Sequence, residues 1–151
     1  MERPTSQPDL FRRIDHVGIA VADLDAALDF YGRVFGLVPV HTETNEEQGV
    51  REVMLAVGTG ETQLQLLAPL REDSPIGSFL NRHGPGIQQI AYTVDDVEAA
   101  AASLRTSGLR VLWDEPRQGT AGSRVNFVHP KDAGGVLVEL VQPADGSNFS
   151  N

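Results

Sequence analysis

An internal repeat is the feature that most restricts how this chain can fold. Three segments recur in the same order, 73 or 74 positions apart: Asp15–Val21 and Gln88–Val94, Asp23–Ala27 and Asp96–Ala100, and Leu64–Pro69 and Val138–Pro143. Ordered matches at a nearly constant spacing are hard to obtain by chance. We therefore interpret residues 14–69 and residues 87–143 as two copies of one folding unit.

Each copy is predicted to fold as β-α-β-β-β. Short apolar runs rich in β-branched residues predict strands. These runs are residues 14–21, 37–43, 50–57 and 62–68 in the first copy, and residues 88–94, 109–113, 123–128 and 135–141 in the second. Asp23 is placed to cap the first helix, and Asp95 with Glu98 has the spacing of a capping box for the second. Gly36 and Gly108 stand where helices commonly end.

The two copies together predict the fold class. The segment between them, residues 70–86, is a linker in which Asp73 or Ser74 can cap a short helix. Residues 1–13 and 144–151 are expected to be flexible tails. A mixed sheet of eight strands with helices on one side can curl into a cup. We therefore predict an α+β fold, in which two βαβββ modules form a curled eight-stranded mixed sheet with the helices on its outer face.

Four polar residues are predicted to lie inside this cup. Side chains alternate between the two faces of a strand, and the alternation puts His16 with Gln89, and Gln65 with Glu139, at equivalent repeat positions on the face without helices. Small neighbours such as Gly18 leave space beside them. One imidazole nitrogen and three side-chain oxygens suit an octahedral divalent cation that keeps positions open for water or substrate.

The composition excludes several classes of function. The chain has no cysteine, which excludes disulfides, thiolate catalysis and cysteine-ligated metals. A net charge of −9, with Lys131 as the single lysine, argues against nucleic-acid binding, which needs clustered basic residues. No apolar run reaches the length of a membrane helix, and Met1–Arg13 lacks the apolar centre of a secretion signal. We therefore expect a cytoplasmic protein without a membrane partner.

The same residues resemble the vicinal oxygen chelate superfamily and, within it, the methylmalonyl-CoA epimerase family. The resemblance spans nearly all of residues 14–143. It is carried by the segments Asp15–Val21, Asn45–Glu52, Leu64–Leu67, Gly119–Arg124 and His129–Asp132. The first segment marks only the superfamily, whereas Asn45–Glu52 together with Gln65 is more specific to the epimerases. The resemblance implies paired βαβββ modules, a homodimer, and a divalent metal in the cup.

The resemblance also implies a set of metal ligands. The family's His, Gln, His and Glu map onto His16, Gln65, Gln89 and Glu139, so Gln89 stands where the family has a histidine. Because an amide oxygen is a weaker and harder donor than imidazole, we expect lower metal affinity. We also expect a preference shifted from nickel and zinc toward cobalt, manganese or magnesium, with Co²⁺ first.

In the implied reaction, an acyl-CoA substrate is deprotonated and reprotonated at C2, which interconverts (2R)- and (2S)-methylmalonyl-CoA through an enediolate. Return of the proton on the opposite face calls for two proton carriers. Glu52 matches the family's catalytic position and points into the same cup, and Glu139 is the second carrier. Candidate contacts for the CoA phosphates lie in the second copy: Arg117, Ser123, Arg124 and Lys131.

Other functions on the same scaffold remain open. A glyoxalase-type isomerase shares the enediolate chemistry, and Asn45–Glu52 is the segment that favours the epimerase over it. A metal-free protein that binds a drug or small metabolite would have no bound metal, no role for Glu52, and aromatic stacking inside the cup. Gln89 is the best support for that alternative. An extradiol dioxygenase needs two histidines and a carboxylate on iron, and the cup offers only His16.

Overall fold

The structure is a computed structural model, and it describes residues 10–144. In chain order the elements are β1 (Phe11–Ala20), α1 (Leu24–Phe35), β2 (Val38–Asn45), β3 (Val50–Ala56), β4 (Gln63–Pro69), α2 (Pro75–His83), β5 (Gly86–Val94), α3 (Val97–Thr106), β6 (Arg117–Gln118), β7 (Arg124–Val128) and β8 (Leu137–Gln142). The β-α-β-β-β order predicted for each copy is confirmed. Most of the two predicted tails lies outside the described residues, but Phe11–Arg13 begin β1.

The eight strands form one mixed sheet in the order β2-β3-β4-β1-β5-β8-β7-β6. β1 pairs with β4 in parallel, whereas β3 is antiparallel to β2 and β4, and β7 is antiparallel to β6 and β8. The predicted fold class is confirmed. The described residues divide into a first unit, residues 15–90, and a second unit, residues 10–14 with 91–144. Within residues 10–144, no helix has the length and hydropathy of a membrane span.

In the first unit, α1 packs on one face of its strands. Asp23 caps the helix by accepting a hydrogen bond from Ala26 N at 3.1 Å, and Gly36 ends it in the left-handed region at φ 70°, as the sequence predicts. The core under α1 is apolar: Leu24, Leu37, Val53, Leu55, Leu66 and Ala68. Each fully buried leucine side chain contributes about 1.5–3 kcal/mol. This packing fixes the strands that carry polar residues on their other face.

The short helix α2 departs from the expectation that the helices all lie on the outer face. Ser74 caps it and Pro75 occupies its first turn, as predicted. Its Ile76 packs in a cluster with residues of three strands: Ala20, Val50 and Leu67. Because Ala20 shares a face of β1 with His16, α2 covers one end of the face that was expected to be free of helices.

In the second unit, α3 packs over a core of Val94, Val97, Ala100, Val128 and Leu140. Its N-cap is Asp96, whose Oδ1 accepts from Glu98 N and Ala99 N at 3.0 Å, so the predicted capping box led by Asp95 is wrong. Asp95 instead pairs with Arg12, and the hydrogen bond from this guanidinium lowers the pKa of the Asp95 carboxyl. The ion pair leaves Asp96 as the residue that caps.

The strand predicted at residues 109–113 is also wrong. An isolated bridge joins Val111 to Val128, and β6 comes later in the chain. Beside this bridge, His129 N donates to Arg110 O at 2.9 Å and Leu112 N donates to Phe127 O at 2.8 Å. At Trp113 the buried Asn126 side chain takes the place of a backbone partner, since its Oδ1 accepts from Trp113 N at 3.1 Å and its Nδ2 donates to Trp113 O at 2.9 Å.

Candidate active site

Polar side chains of the first unit gather on the face of the strands opposite α1. Four of them, from β1, β3, β4 and β5, are almost fully buried: His16, Glu52, Gln65 and Gln89. The exposed fraction is 3% for His16 and 6% for Glu52. Burial of polar and charged groups at this depth costs free energy unless they find hydrogen-bond partners. Their partners therefore decide what the site can do.

These side chains form a continuous row of polar contacts, which we call the polar row. Glu52 Oε2 accepts from Gln65 Nε2 at 3.1 Å. Gln65 Oε1 accepts from Gln89 Nε2 at 3.3 Å, and Gln89 Nε2 also lies 3.4 Å from His16 Nε2. At the far end, His16 Nδ1 lies 2.7 Å from Asp15 Oδ2. The structure thus brings Glu52 together with three of the four residues predicted as metal ligands.

Gly18 makes room for this arrangement. A Cβ atom at Gly18 would lie 2.7 Å from Gln89 Cγ and 3.1 Å from Leu67 Cδ1. Real side chains do not approach so closely without displacement. The small residue on β1 therefore allows the Gln89 side chain to cross above the strand.

We expect Gly18→Ala to displace Gln89 and to lower the free energy of unfolding by about 1–3 kcal/mol, because the added methyl overpacks the site. Denaturant titration measures this change. Gly86→Ala, at the start of the strand that carries Gln89, is the matched control, since no atom lies within 4 Å of its added Cβ. Equal stability of the two variants would contradict the packing role of Gly18.

The polar row has the donor set for a weakly bound cation. His16 Nε2 and Gln65 Oε1 are acceptor atoms that converge on the place where Gln89 Nε2 lies, at 3.4 and 3.3 Å. A half-turn of the Gln89 amide would present its oxygen there. No three His, Cys, Asp or Glu side chains within residues 10–144 are grouped to hold a metal. The fit to a cation therefore depends on amide oxygens, which suit hard cations.

Glu139 lies in the second unit, on β8, and its exposed fraction is 7%. It stands opposite Phe127 of β7 in the antiparallel register. By alternation it shares its face with Val141. Glu139 thus occupies in β8 the position that Gln65 occupies in β4, as the repeat predicts.

Arg117 lies on the same face of the second unit as Glu139. It pairs with Val125 of β7, and its guanidinium carbon lies 4.2 Å from the centroid of the Trp113 ring. Trp113 in turn meets Phe127 edge-on, with ring centroids 5.4 Å apart. Packing and a cation–π contact therefore hold an exposed positive charge on a partly buried aromatic surface.

The other residues predicted to contact CoA lie elsewhere in the second unit. Arg124 is on the opposite face, where it donates to Glu98 of α3 at 2.9 Å, and this hydrogen bond raises the pKa of Arg124. Ser123 is buried, and Lys131 is exposed in the turn Pro130–Asp132. The four predicted residues thus do not form one cluster on one face.

Two residues of these sites were missed by the sequence reasoning. Asp15 contacts the His16 ring, and its only signal in the sequence is a carboxylate directly before a candidate ligand. Trp113 lies against the guanidinium of Arg117. Its only signal in the sequence is that the single tryptophan of the chain stands four positions before this arginine. Neither contact follows from strand alternation, so neither could be derived from it.

Comparisons with known proteins identify relatives of this chain. A sequence profile described as the Glyoxalase/Bleomycin resistance protein/Dioxygenase superfamily matches residues 15–127. The crystal structure of methylmalonyl-CoA epimerase from Mycobacterium tuberculosis is 50% identical, with 99% of this chain and 97% of that chain covered and a TM-score of 0.89.

Two further relatives carry information about ligands. A variant of the Streptomyces coelicolor methylmalonyl-CoA epimerase, solved in complex with 2-nitronate-propionyl-CoA, is 52% identical over 89% of this chain and 99% of that chain, with a TM-score of 0.84. The ethylmalonyl-CoA/methylmalonyl-CoA epimerase of Cereibacter sphaeroides is 41% identical over 132 residues, which are 86% of this chain and 97% of the relative.

Proposed function

This chain belongs to the Glyoxalase/Bleomycin resistance protein/Dioxygenase superfamily, and we propose that it is an epimerase that interconverts (2R)- and (2S)-methylmalonyl-CoA. The observation that carries the proposal is the buried carboxylate of Glu52 at the end of the polar row. The resemblance to epimerases drawn from the sequence is confirmed by relatives that share 41–52% of their residues with it.

The reaction removes a proton from C2 of a thioester, and Glu52 is the base in this proposal. Gln65 Nε2 donates to Glu52 Oε2 at 3.1 Å, and this hydrogen bond orients the carboxylate. General-base catalysis by a positioned carboxylate contributes about 10²–10⁴-fold. The α-proton of a thioester is too weakly acidic for this alone, so the charge that develops on oxygen must also be stabilised.

A relative's ligand supports an enediolate intermediate. The Streptomyces coelicolor enzyme is in complex with 2-nitronate-propionyl-CoA. A nitronate is planar at carbon and carries its negative charge on oxygens, as an enediolate does. An enzyme that stabilises such a planar anion can return the proton to either face of C2, and this is the chemistry of epimerisation.

The proposed cation site consists of His16, Gln65, Gln89 and Glu139. A divalent cation bound by them supplies Lewis-acid stabilisation of negative charge on the substrate oxygens. Because three of the four donors are side-chain oxygens, the proposal favours Co²⁺, Mn²⁺ or Mg²⁺ over nickel and zinc. Glu139 is also the second proton carrier in this proposal, as the resemblance to the epimerases implies.

The substrate is an acyl-CoA, and Arg117 is the residue of this chain best placed to bind its phosphates. Arg117 is exposed, lies on the face of Glu139, and is stacked on Trp113. Guanidinium groups recognise phosphates through paired donors. The homodimer implied by the resemblance belongs to the same proposal, and sedimentation equilibrium tests it.

We expect Arg117→Ala to lower kcat/KM for methylmalonyl-CoA by about tenfold, because KM rises while kcat stays nearly constant. A loss of this size corresponds to the free energy of one charge-assisted hydrogen bond. Steady-state kinetics measures this loss. Arg124→Ala is the matched control, because Arg124 lies on the opposite face and pairs with Glu98. If the two variants lose the same activity, Arg117 has no specific role in binding CoA.

The experiment that tests the function presents the protein with two substrates. With (2R)-methylmalonyl-CoA we expect epimerisation, which is measured by a coupled assay specific for one epimer. With the hemithioacetal of methylglyoxal we expect no turnover. Turnover of the hemithioacetal alone would favour the glyoxalase-type isomerase, and binding of small aromatic ligands without any turnover would favour a metal-free binding protein.

A further inference from the structure

An apolar surface borders the polar row on the face of the strands that carries Glu52. Leu67 of β4 stands directly opposite Glu52 of β3 in the antiparallel register, so the two side chains lie on the same face of the sheet. Side chains that oppose each other directly have Cβ atoms about 4.5–5.5 Å apart. Leu67 is therefore within contact range of a group that Glu52 deprotonates.

Leu67 also borders the polar row at Gln89. A Cβ atom at Gly18 would lie 3.1 Å from Leu67 Cδ1 and 2.7 Å from Gln89 Cγ. The leucine side chain thus extends from the position opposite Glu52 to the place on β1 where the Gln89 side chain crosses. The exposed fraction of Leu67 is 4%. One apolar side chain therefore lies beside the row at two of its members.

The surface around Leu67 is rigid because a helix covers it. Leu67 packs in one buried cluster with Ala20 of β1, Val50 of β3 and Ile76 of α2, and we call these four residues the apolar wall. Further apolar side chains of α2 pack against the same cluster. Since protein interiors are packed as densely as organic crystals, a wall held in this way yields little to a larger ligand.

Met54 is a second apolar neighbour of the row, and it differs from Leu67 in stiffness. It lies two residues after Glu52 on β3, stands opposite Gln65, and is 6% exposed. A methionine side chain is unbranched and adapts to the shape of what it touches. The branched Leu67, packed under α2, is the better candidate to distinguish alkyl groups that differ by one carbon.

The chemistry of the substrate indicates which of its groups meets the apolar wall. C2 of a 2-alkylmalonyl thioester carries a hydrogen, an alkyl group, a carboxylate and a thioester carbonyl. When the hydrogen points at Glu52, the two oxygen-bearing groups need polar partners, which the row supplies. The alkyl group instead gains free energy by leaving water for an apolar surface, and Leu67 offers that surface beside Glu52.

From this geometry we propose that Leu67 determines how large an alkyl group the site accepts at C2, with Ile76 holding it in place from α2. The proposal rests on the proposed function in that Glu52 takes the proton from C2. One methylene in a hydrophobic pocket changes kcat/KM by about 10–200-fold. We therefore expect ethylmalonyl-CoA to be a poorer substrate than methylmalonyl-CoA for the unmodified protein.

The test compares epimerisation of these two thioesters by the unmodified protein and by Leu67→Val, which removes one carbon from the wall. We expect the ratio of kcat/KM for ethylmalonyl-CoA to kcat/KM for methylmalonyl-CoA to rise about tenfold in the variant. Leu66→Val is the matched control, because it makes the same loss of volume at the neighbouring position, in the core under α1. An unchanged ratio in Leu67→Val, or an equal rise in Leu66→Val, would overturn the proposal.

Two further measurements keep the test decisive. Ile76→Val shortens the same wall from the helix, so it serves even if Leu67→Val does not fold. We expect the ratio to rise there too, and an unchanged ratio would overturn the proposal. Isothermal titration with the two thioesters measures binding without turnover and should show the same shift. Binding that depends on residue 67 in this way, without epimerisation, would support the role of Leu67 and overturn only the proposed function.

Discussion

Glu52→Gln should lower kcat for epimerisation by about 10²–10⁴-fold, the contribution of one positioned general base. The amide of the variant has nearly the shape of the carboxylate, and its oxygen can still accept from Gln65 Nε2, so the fold and the polar row should survive. What is lost is the ability to take a proton from C2. We therefore expect nearly unchanged stability and KM.

Exchange of the C2 proton with deuterium from solvent makes this prediction sharper. If Glu52 serves one face of C2, Glu52→Gln should abolish exchange for one epimer and leave it for the other. Glu43→Gln is the matched control, because Glu43 lies directly opposite Glu52 on β2 and is held by His41 at 2.8 Å. Epimerisation at the unmodified rate in Glu52→Gln would show that another residue is the base.

Gln89→His should tighten binding of divalent metal by at least about tenfold, since even outer partners of ligating histidines are worth about 10–100-fold in metal affinity. Imidazole is a stronger and softer donor than an amide oxygen, so the gain should be larger for Zn²⁺ than for Mg²⁺. The substitution also removes the amide hydrogens that Gln89 now offers to His16 and Gln65. The site should change from a row of hydrogen bonds into a metal centre with two histidines.

Isothermal titration with Co²⁺ and Zn²⁺ measures this gain independently of activity. Gln88→His is the matched control, because it adds an imidazole at the neighbouring position, on the opposite face of β5. We expect the control to leave both dissociation constants unchanged. If Gln89→His leaves them unchanged as well, Gln89 is not a metal ligand and the cation site must be abandoned.

The repeat and the alternation of strands predicted a large part of the site. Alternation is a local property of the backbone, and for that reason His16, Gln65, Gln89 and Glu52 could be assigned to one face without knowledge of the fold. Equivalent positions in the two copies, His16 with Gln89 and Gln65 with Glu139, then supplied the expectation that the ligand candidates belong together. In the first unit the structure joins His16, Gln65, Gln89 and Glu52 by contacts of 3.1–3.4 Å.

The features that the sequence did not predict depend on contacts between residues far apart in the chain or on the orientation of a side chain. Asp95 and Asp96 are equal candidates for the cap of α3 until Arg12 binds one of them. The segment at residues 109–113 has strand composition, but its backbone pairing is limited to one bridge, and Asn126 binds the backbone of Trp113. The Gln89 amide nitrogen lies beside Gln65 Oε1 and His16 Nε2, and no pattern of hydrophobic residues reports such an orientation.

Incubation of the unmodified protein with (2R)-methylmalonyl-CoA in deuterium oxide, with and without added Co²⁺, shows whether this protein transfers a proton at C2. We expect one deuterium at C2 and an equilibrium mixture of the two epimers, with a faster rate when Co²⁺ is present. Substrate that keeps both its C2 hydrogen and its configuration, whichever divalent cation is supplied, would contradict the assignment of this site to proton transfer at C2.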